Sequence, residues 1–158
     1  SDAEQAIRMV RQHAKEWNVD PYKVGLMGAS AGGHLTATLA THYNSETRPD
    51  FQILLYPVVT MMQVTRGNTR AALLGKNPTM EQIQKFSAEL QVTPDTPQAF
   101  IALTSDDPSV APYHGVNYYL ALQKNKVPAT LHVYPTGGHG WGFQDRPLEI
   151  QRRRRQRR

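Results

Sequence analysis

Apolar residues recur along this chain in two rhythms that alternate from one end to the other. In residues 3–17, Ala3, Ala6, Ile7, Val10, Ala14 and Trp17 return at three- and four-residue spacing with charges between them, which predicts an amphipathic helix. Asn18 to Pro21 breaks it. Val24 to Gly28 is short and apolar, the pattern of a buried parallel strand, and Ala31 to Tyr43, rich in Ala, Leu and Thr, predicts a helix that packs back on the sheet. Phe51 to Val59 (FQILLYPVV) predicts a second strand, Gln98 to Thr104 (QAFIALT) a third, and Ala129 to Tyr134 (ATLHVY) a fourth, in which Leu131 and Val133 alternate with His132. Tyr113 to Asn125 predicts a helix with Val116, Tyr119, Leu120 and Leu122 inward. Residues 66–93 are polar and punctuated by Gly67, Gly75 and Pro78, with a helix expected from Thr79 to Leu90; the stretch reads as a lid-like insertion. Strand and helix alternate throughout, so the fold class is α/β, a parallel sheet with helical crossovers.

Composition changes this picture little. A chain of 158 residues, 39% hydrophobic and 20% charged, is one domain large enough to bury a core. It has no cysteine, which excludes disulfides and thiolate metal sites. No apolar run approaches the roughly 20 residues of a membrane helix, and SDAEQAIRMV is not a signal peptide; the compartment is left open between cytoplasm and secretion. The net charge of +5 sits in the tail: six arginines, Arg152 to Arg155 with Arg157 and Arg158, occupy six of the last seven positions. Five minus six leaves a charge of −1 on the rest. A basic tail with no basic or aromatic surface in support is a weak nucleic-acid signal.

Gly28-Ala29-Ser30-Ala31-Gly32 fits G-x-S-x-G between an apolar strand and a helix. Such a turn lifts the serine hydroxyl above the sheet. The two glycines are expected where side chains would collide with strand and helix, and the Ala31 backbone N–H is placed to donate to an oxyanion. Two downstream segments supply partners in the order Ser, Asp, His. Asp106 and Asp107 follow the QAFIALTS strand, at the carboxyl edge where ligand-facing residues of parallel sheets lie. His139 sits in Thr136-Gly-Gly-His-Gly-Trp-Gly after the ATLHVY strand. Asp107 is the favoured acid, because in Asp107-Pro-Ser-Val-Ala-Pro the valine can anchor the loop while the carboxylate turns to the histidine; Asp106 is then a solvated or loop-capping neighbour. Among the other histidines, His13 reads as solvent-facing and His34 as a packing or hydrogen-bonding residue. His42, His114 and His132 have no metal-ligand spacing. Trp141 and Phe143 are candidates for an acyl or sugar pocket, and equally for packing.

With Gly-Ala-Ser-Ala-Gly-Gly-His-Leu (28–35), Asp-Asp-Pro-Ser-Val (106–110) and Gly-Gly-His-Gly-Trp-Gly-Phe in order, the chain resembles the α/β-hydrolase esterases of the acetyl-xylan-esterase-like group. These are bacterial enzymes that also carry the name xylanase, related to the hormone-sensitive-lipase-like carboxylesterases. The resemblance implies hydrolysis of short acyl esters, acetyl groups on plant carbohydrate among them, with no cofactor, a small-molecule or carbohydrate substrate, and neither membrane nor nucleic acid as partner. It carries the nucleophile onto Ser30, the acid onto Asp107 and the base onto His139.

It also implies a partial domain. Family members begin with further strands and an H-G-G oxyanion loop, so residues 1–145 correspond to the C-terminal part of the domain. One apolar sheet edge is expected to be exposed and open to a second copy. The second oxyanion donor is expected to be missing, a loss of about 2.7–4 kcal/mol, so the chain is expected to be weakly active or inactive. Residues 146–158 depart from the family as an atypical Arg-rich tail. Two other readings stay open: a serine peptidase of the prolyl-oligopeptidase type, although those enzymes usually carry an aromatic residue where Ala31 stands, and an inert fragment that folds only by association.

Overall fold

The computed structural model describes residues 1–142; Phe143 and the Arg-rich tail lie outside the described residues. The elements run α1 (Asp2–Gln12), β1 (Leu26–Ala29), α2 (Ala31–Thr41), β2 (Phe51–Leu55), α3 (Thr69–Leu74), α4 (Met80–Lys85), a 3₁₀ turn (Ala88–Leu90), β3 (Gln98–Thr104), α5 (Tyr113–Lys124) and β4 (Ala129–Tyr134). The four strands form one sheet in the order β1-β2-β3-β4, every pair parallel. All four carboxyl ends therefore share one edge, and β1 and β4 are the outer strands.

Alternate strand residues face opposite sides. Leu54, Ile101 and Leu103 pack with Ala37 of α2, Ala88 of the 3₁₀ turn, and Tyr118 and Leu122 of α5 in the main core. Burying Tyr118 requires a partner for its hydroxyl. That hydroxyl donates to Gln52 Oε1 at 3.0 Å, and Gln52 Nε2 donates to Pro97 O at 2.8 Å. The other face carries Ile53, Leu55 and Ala102 against Tyr56 and Trp141, and lies more open: Met27 is 52% and Phe100 40% exposed.

Several boundaries differ from the sequence expectation, each for a local reason. The first helix ends at Gln12 rather than residue 17, because the bonds Ala14 N to Arg11 O and Asn18 N to Lys15 O tighten the chain into turns. Trp17, expected inward, is exposed and stacks on His13. The second strand stops at Leu55, not Val59, because Tyr56 turns to φ 36° and Pro57 has no N–H to give. The helix expected over 79–90 splits at Phe86: Ser87 Oγ donates to Ile83 O and accepts from Met61 N, while Ala88 N donates to Val59 O. The buried stripe of α5 runs through His114, Tyr118 and Leu122, rotated from the expected face, and Leu120 is exposed. Among the described residues no helix is long and apolar enough to cross a membrane.

Candidate active site

The carboxyl edge of the sheet brings Ser30, Asp107 and His139 together. Ser30 sits between β1 and α2 at φ 55°, ψ −121°, a conformation that costs a non-glycine residue on the order of 1–3 kcal/mol. The surroundings over-determine it. The Ser30 amide donates to Leu55 O at 3.0 Å, and its carbonyl accepts from Gly33 N at 3.0 Å, His34 N at 3.3 Å and Val58 N at 3.0 Å. Its hydroxyl makes no cap bond to α2, so it is free to point elsewhere. Ala31 is the first residue of that helix, where backbone N–H groups lack intrahelical acceptors.

The expected reason for the two glycines holds for one of them. A Cβ at Gly28 would lie 2.1 Å from Gly32 O and 2.5 Å from Thr36 Oγ1. At Gly32 nothing among the described residues comes within 4 Å, because the position faces outward from the helix. The close packing falls instead on Gly33, where a Cβ would meet Pro57 Cβ at 2.6 Å.

Asp107 follows β3, and its side chain is 1% exposed. Oδ1 accepts from Ser109 N at 2.8 Å and Val110 N at 2.9 Å, while Oδ2 lies 2.7 Å from His139 Nδ1. Val110 is buried with Val58, Met61 and Ile83, which ties this turn to the core. A carboxylate can only accept, so Nδ1 carries the proton and donates to Asp107. Nε2 is then the acceptor for Ser30 Oγ, 2.8 Å away. Asp106 points elsewhere: its Oδ1 accepts from Gly138 N at 2.8 Å, and Thr104 Oγ1 donates to Gly138 O at 2.6 Å. The peptide just before His139 is thus gripped on both sides. Thr104 gave no signal in the sequence beyond ending an apolar strand.

Two of the remaining histidines, His34 and His114, are buried in the frame. His114, 1% exposed, accepts at Nδ1 from Val59 N (3.1 Å) and Thr60 N (3.2 Å). Burial pushes its pKa down to about 4, so it is neutral near pH 7. His34 is also shifted down by burial, and its Nε2–H donates to Phe86 O at 2.7 Å. His13 is exposed and pairs with Glu16. Trp141 packs edge-to-face on Tyr56 and Tyr134, so its ring faces aromatic neighbours. No group of three or more His, Cys, Asp or Glu among the described residues is placed to hold a metal ion.

A serine on a strained strand-to-helix turn, with acid and histidine on loops after later parallel strands, defines the α/β-hydrolase class. The chain belongs to the α/β-hydrolase fold family, whose model matches residues 1–143. It is similar to endo-1,4-β-xylanase B of Butyrivibrio fibrisolvens, 39% identical over 153 residues, covering 88% of this chain and 24% of that protein. It is also similar to an acetylxylan esterase of Xylanibacter ruminicola, 40% identical over 147 residues, covering 90% of this chain and 31% of the relative. Among solved structures, an acetyl ester-xyloside bifunctional hydrolase from Caldicellulosiruptor lactoaceticus superimposes with a TM-score of 0.89 at 37% identity, covering 95% of this chain and 60% of the other. The chain thus spans 24% and 31% of the two curated relatives and 60% of that structure.

Proposed function

We propose that this chain carries the catalytic centre of a serine carboxylic ester hydrolase acting on short acyl esters, with acetyl esters of plant carbohydrate as the substrate class. The observation that carries the reading is the unbroken relay from Ser30 Oγ to His139 Nε2 (2.8 Å) and from His139 Nδ1 to Asp107 Oδ2 (2.7 Å). Ser30 Oγ attacks the acyl carbon while its proton passes to His139 Nε2. The oxyanion that forms is stabilised by the Ala31 N–H, and Asp107 stabilises the imidazolium. The imidazolium then protonates the leaving alcohol as the C–O bond breaks, leaving the acyl group on Ser30. A water gives its proton to His139 and attacks the acyl-enzyme, and the carboxylic acid departs as the serine recovers its proton.

The substrate class is supported by the names of the relatives, acetylxylan esterase and acetyl ester-xyloside hydrolase. In this reading residues 66–93 serve as a lid or pocket wall, which is supported by Thr69, Leu73 and Phe86 lining, with Ala31 and Leu35 of α2, an apolar groove of about 420 Å³ that starts at the residue after Ser30. A fluorophosphonate probe and p-nitrophenyl acetate test the reading. The expected result is covalent labelling and acetate release by the wild type and neither by Ser30→Ala. A folded wild-type sample that resists the probe at Ser30 sinks it, and turnover of a proline-linked amide in preference to the ester would move the chemistry to a peptidase.

A further inference from the structure

Asp106 and Thr104 grip the base loop just before His139, and a separate residue grips it from the other side. Tyr56 directly follows β2, is 6% exposed and adopts φ 36°, a left-handed conformation that is an outlier for a bulky side chain. Its amide donates to Ala102 O at 2.7 Å, which ties the kink to β3. The tyrosine ring meets the His139 imidazole edge-to-face, with centroids 4.9 Å apart, and its hydroxyl accepts from Gly142 N at 3.1 Å. One side chain therefore touches the histidine and also the backbone that leaves it. The loop needs such a restraint. Gly137, Gly138, Gly140 and Gly142 all have positive φ, and glycine confers little stiffness of its own.

We infer that Tyr56 is a positioning residue for His139, holding the imidazole in register with Ser30 and Asp107 through its ring and its hydroxyl separately. This rests on the assignment of His139 as the base. A purely structural Tyr56, filling space beside Leu55 and Ala102, would act on the number of folded molecules. A positioning Tyr56 acts on the rate of each molecule, because misplacing a catalytic group by a fraction of an ångström slows the chemical step.

Tyr56→Phe and Tyr56→Leu in the full chain separate the two roles. Functional sites are counted by fluorophosphonate titration, and kcat and KM for p-nitrophenyl acetate are expressed per titrated site. Tyr56→Phe, which keeps the ring and frees Gly142, is expected to lower kcat about 5-fold, with KM changed by less than about 2-fold. Tyr56→Leu, which removes both contacts, is expected to lower kcat about 30-fold. Amide exchange at Gly142 should quicken in both. Wild-type kcat per site in Tyr56→Phe, with unchanged Gly142 exchange, overturns the inference even if Tyr56→Leu does not fold. Failure of the wild type to label at Ser30 would remove the hydrolase reading and this inference with it, an outcome distinct from the first.

Discussion

The strands present the same backbone ladder at both ends, yet the two ends are built from different materials. At the carboxyl ends two non-glycine residues, Ser30 and Tyr56, sit in left-handed backbone conformations. A carboxylate lies buried at Asp107, and hydrogen bonds of 2.6–2.8 Å join residues more than 30 positions apart. At the amino ends, the starts of β2, β3 and β4 surround an open hollow of about 380 Å³ lined by Phe51, Ile53, Phe100, Pro128 and neighbours, without a titratable side chain. Volume alone does not separate these places. What separates them is chemistry: the carboxyl edge, where parallel sheets place their ligands, holds a buried carboxylate paired to a histidine and a serine, and the hollow has no such group in its lining.

The sharpest way to break this contrast is Asp107→Asn. Two backbone N–H groups already point at Oδ1, so the amide oxygen must take that side and the NH₂ must face His139. A donor there forces the proton of the imidazole onto Nε2, where it confronts the serine. Under this geometry kcat is expected to fall by about 10³- to 10⁴-fold with the fold intact, as for the equivalent change in a serine protease triad. Measuring kcat on p-nitrophenyl acetate, with circular dichroism as the fold control, checks it. A loss under tenfold would mean that the aspartate does not fix the tautomer.

Next in size is the pair Gly28→Ala and Gly32→Ala. The first puts a methyl into the Gly32 carbonyl, and its cost is expected to be about 3 kcal/mol or more, near 10 °C in Tm for a domain of this length. The second enters open space on a helix and is expected to leave Tm unchanged or to raise stability by up to about 1 kcal/mol. Thermal melts of both variants decide whether the turn depends on one glycine of the pattern or on two.

The same contrast explains what the sequence reveals and what it hides. G-x-S-x-G, the Asp-Asp turn and the glycine-rich histidine loop are local, each attached to the end of an apolar run, so their place on one edge follows from the α/β order alone. The packing role of Gly33 was hidden because Pro57 meets it only after folding. Tyr56 and Thr104 were hidden for the same reason: they act on Gly142 and Gly138, 86 and 34 residues away. Helix ends were misjudged where tertiary bonds interrupt a periodic pattern, as Ser87 does after α4.

Asp106 offers a smaller test of how the edge is held. Asp106→Ala leaves Gly138 N without its acceptor and is expected to lower kcat about 5- to 10-fold. Asp106→Asn keeps an oxygen there and should restore the rate to within about 2-fold. An equal loss in both variants would point to the charge rather than the hydrogen bond.

The buried histidines predict how the carboxyl edge responds to acid. In the folded protein the pKa of His114 lies at about 4, below the ordinary 6.5, and His34 is shifted the same way. The unfolded chain therefore takes up protons that the native state refuses. Their contribution to stability is complete above about pH 6.5 and falls as pH drops from there toward 4. Tm is expected to decrease across that window. His114→Asn, whose Oδ1 can still accept from Val59 N and Thr60 N, should narrow the difference between pH 7 and pH 4.5. An undiminished difference would assign the acid sensitivity to other groups.

The smallest expected effect belongs to the opposite end of the strands, and it tests the comparison most directly. The hollow around Phe100 falls within the size range of small-ligand pockets, so its volume nominates it as readily as any other. Its chemistry does not: one of its few polar side chains, Gln52, is committed to Tyr118 and Pro97. Phe100 itself is 40% exposed, so Phe100→Ser gives up only part of a side-chain burial. That amounts to about 1 kcal/mol and a few degrees of Tm, with kcat per titrated site expected to stay within about 2-fold of wild type. A tenfold fall in kcat per site with unchanged labelling of Ser30 would couple the amino ends to turnover. The chemistry would then depend on the whole length of the strands rather than on one edge.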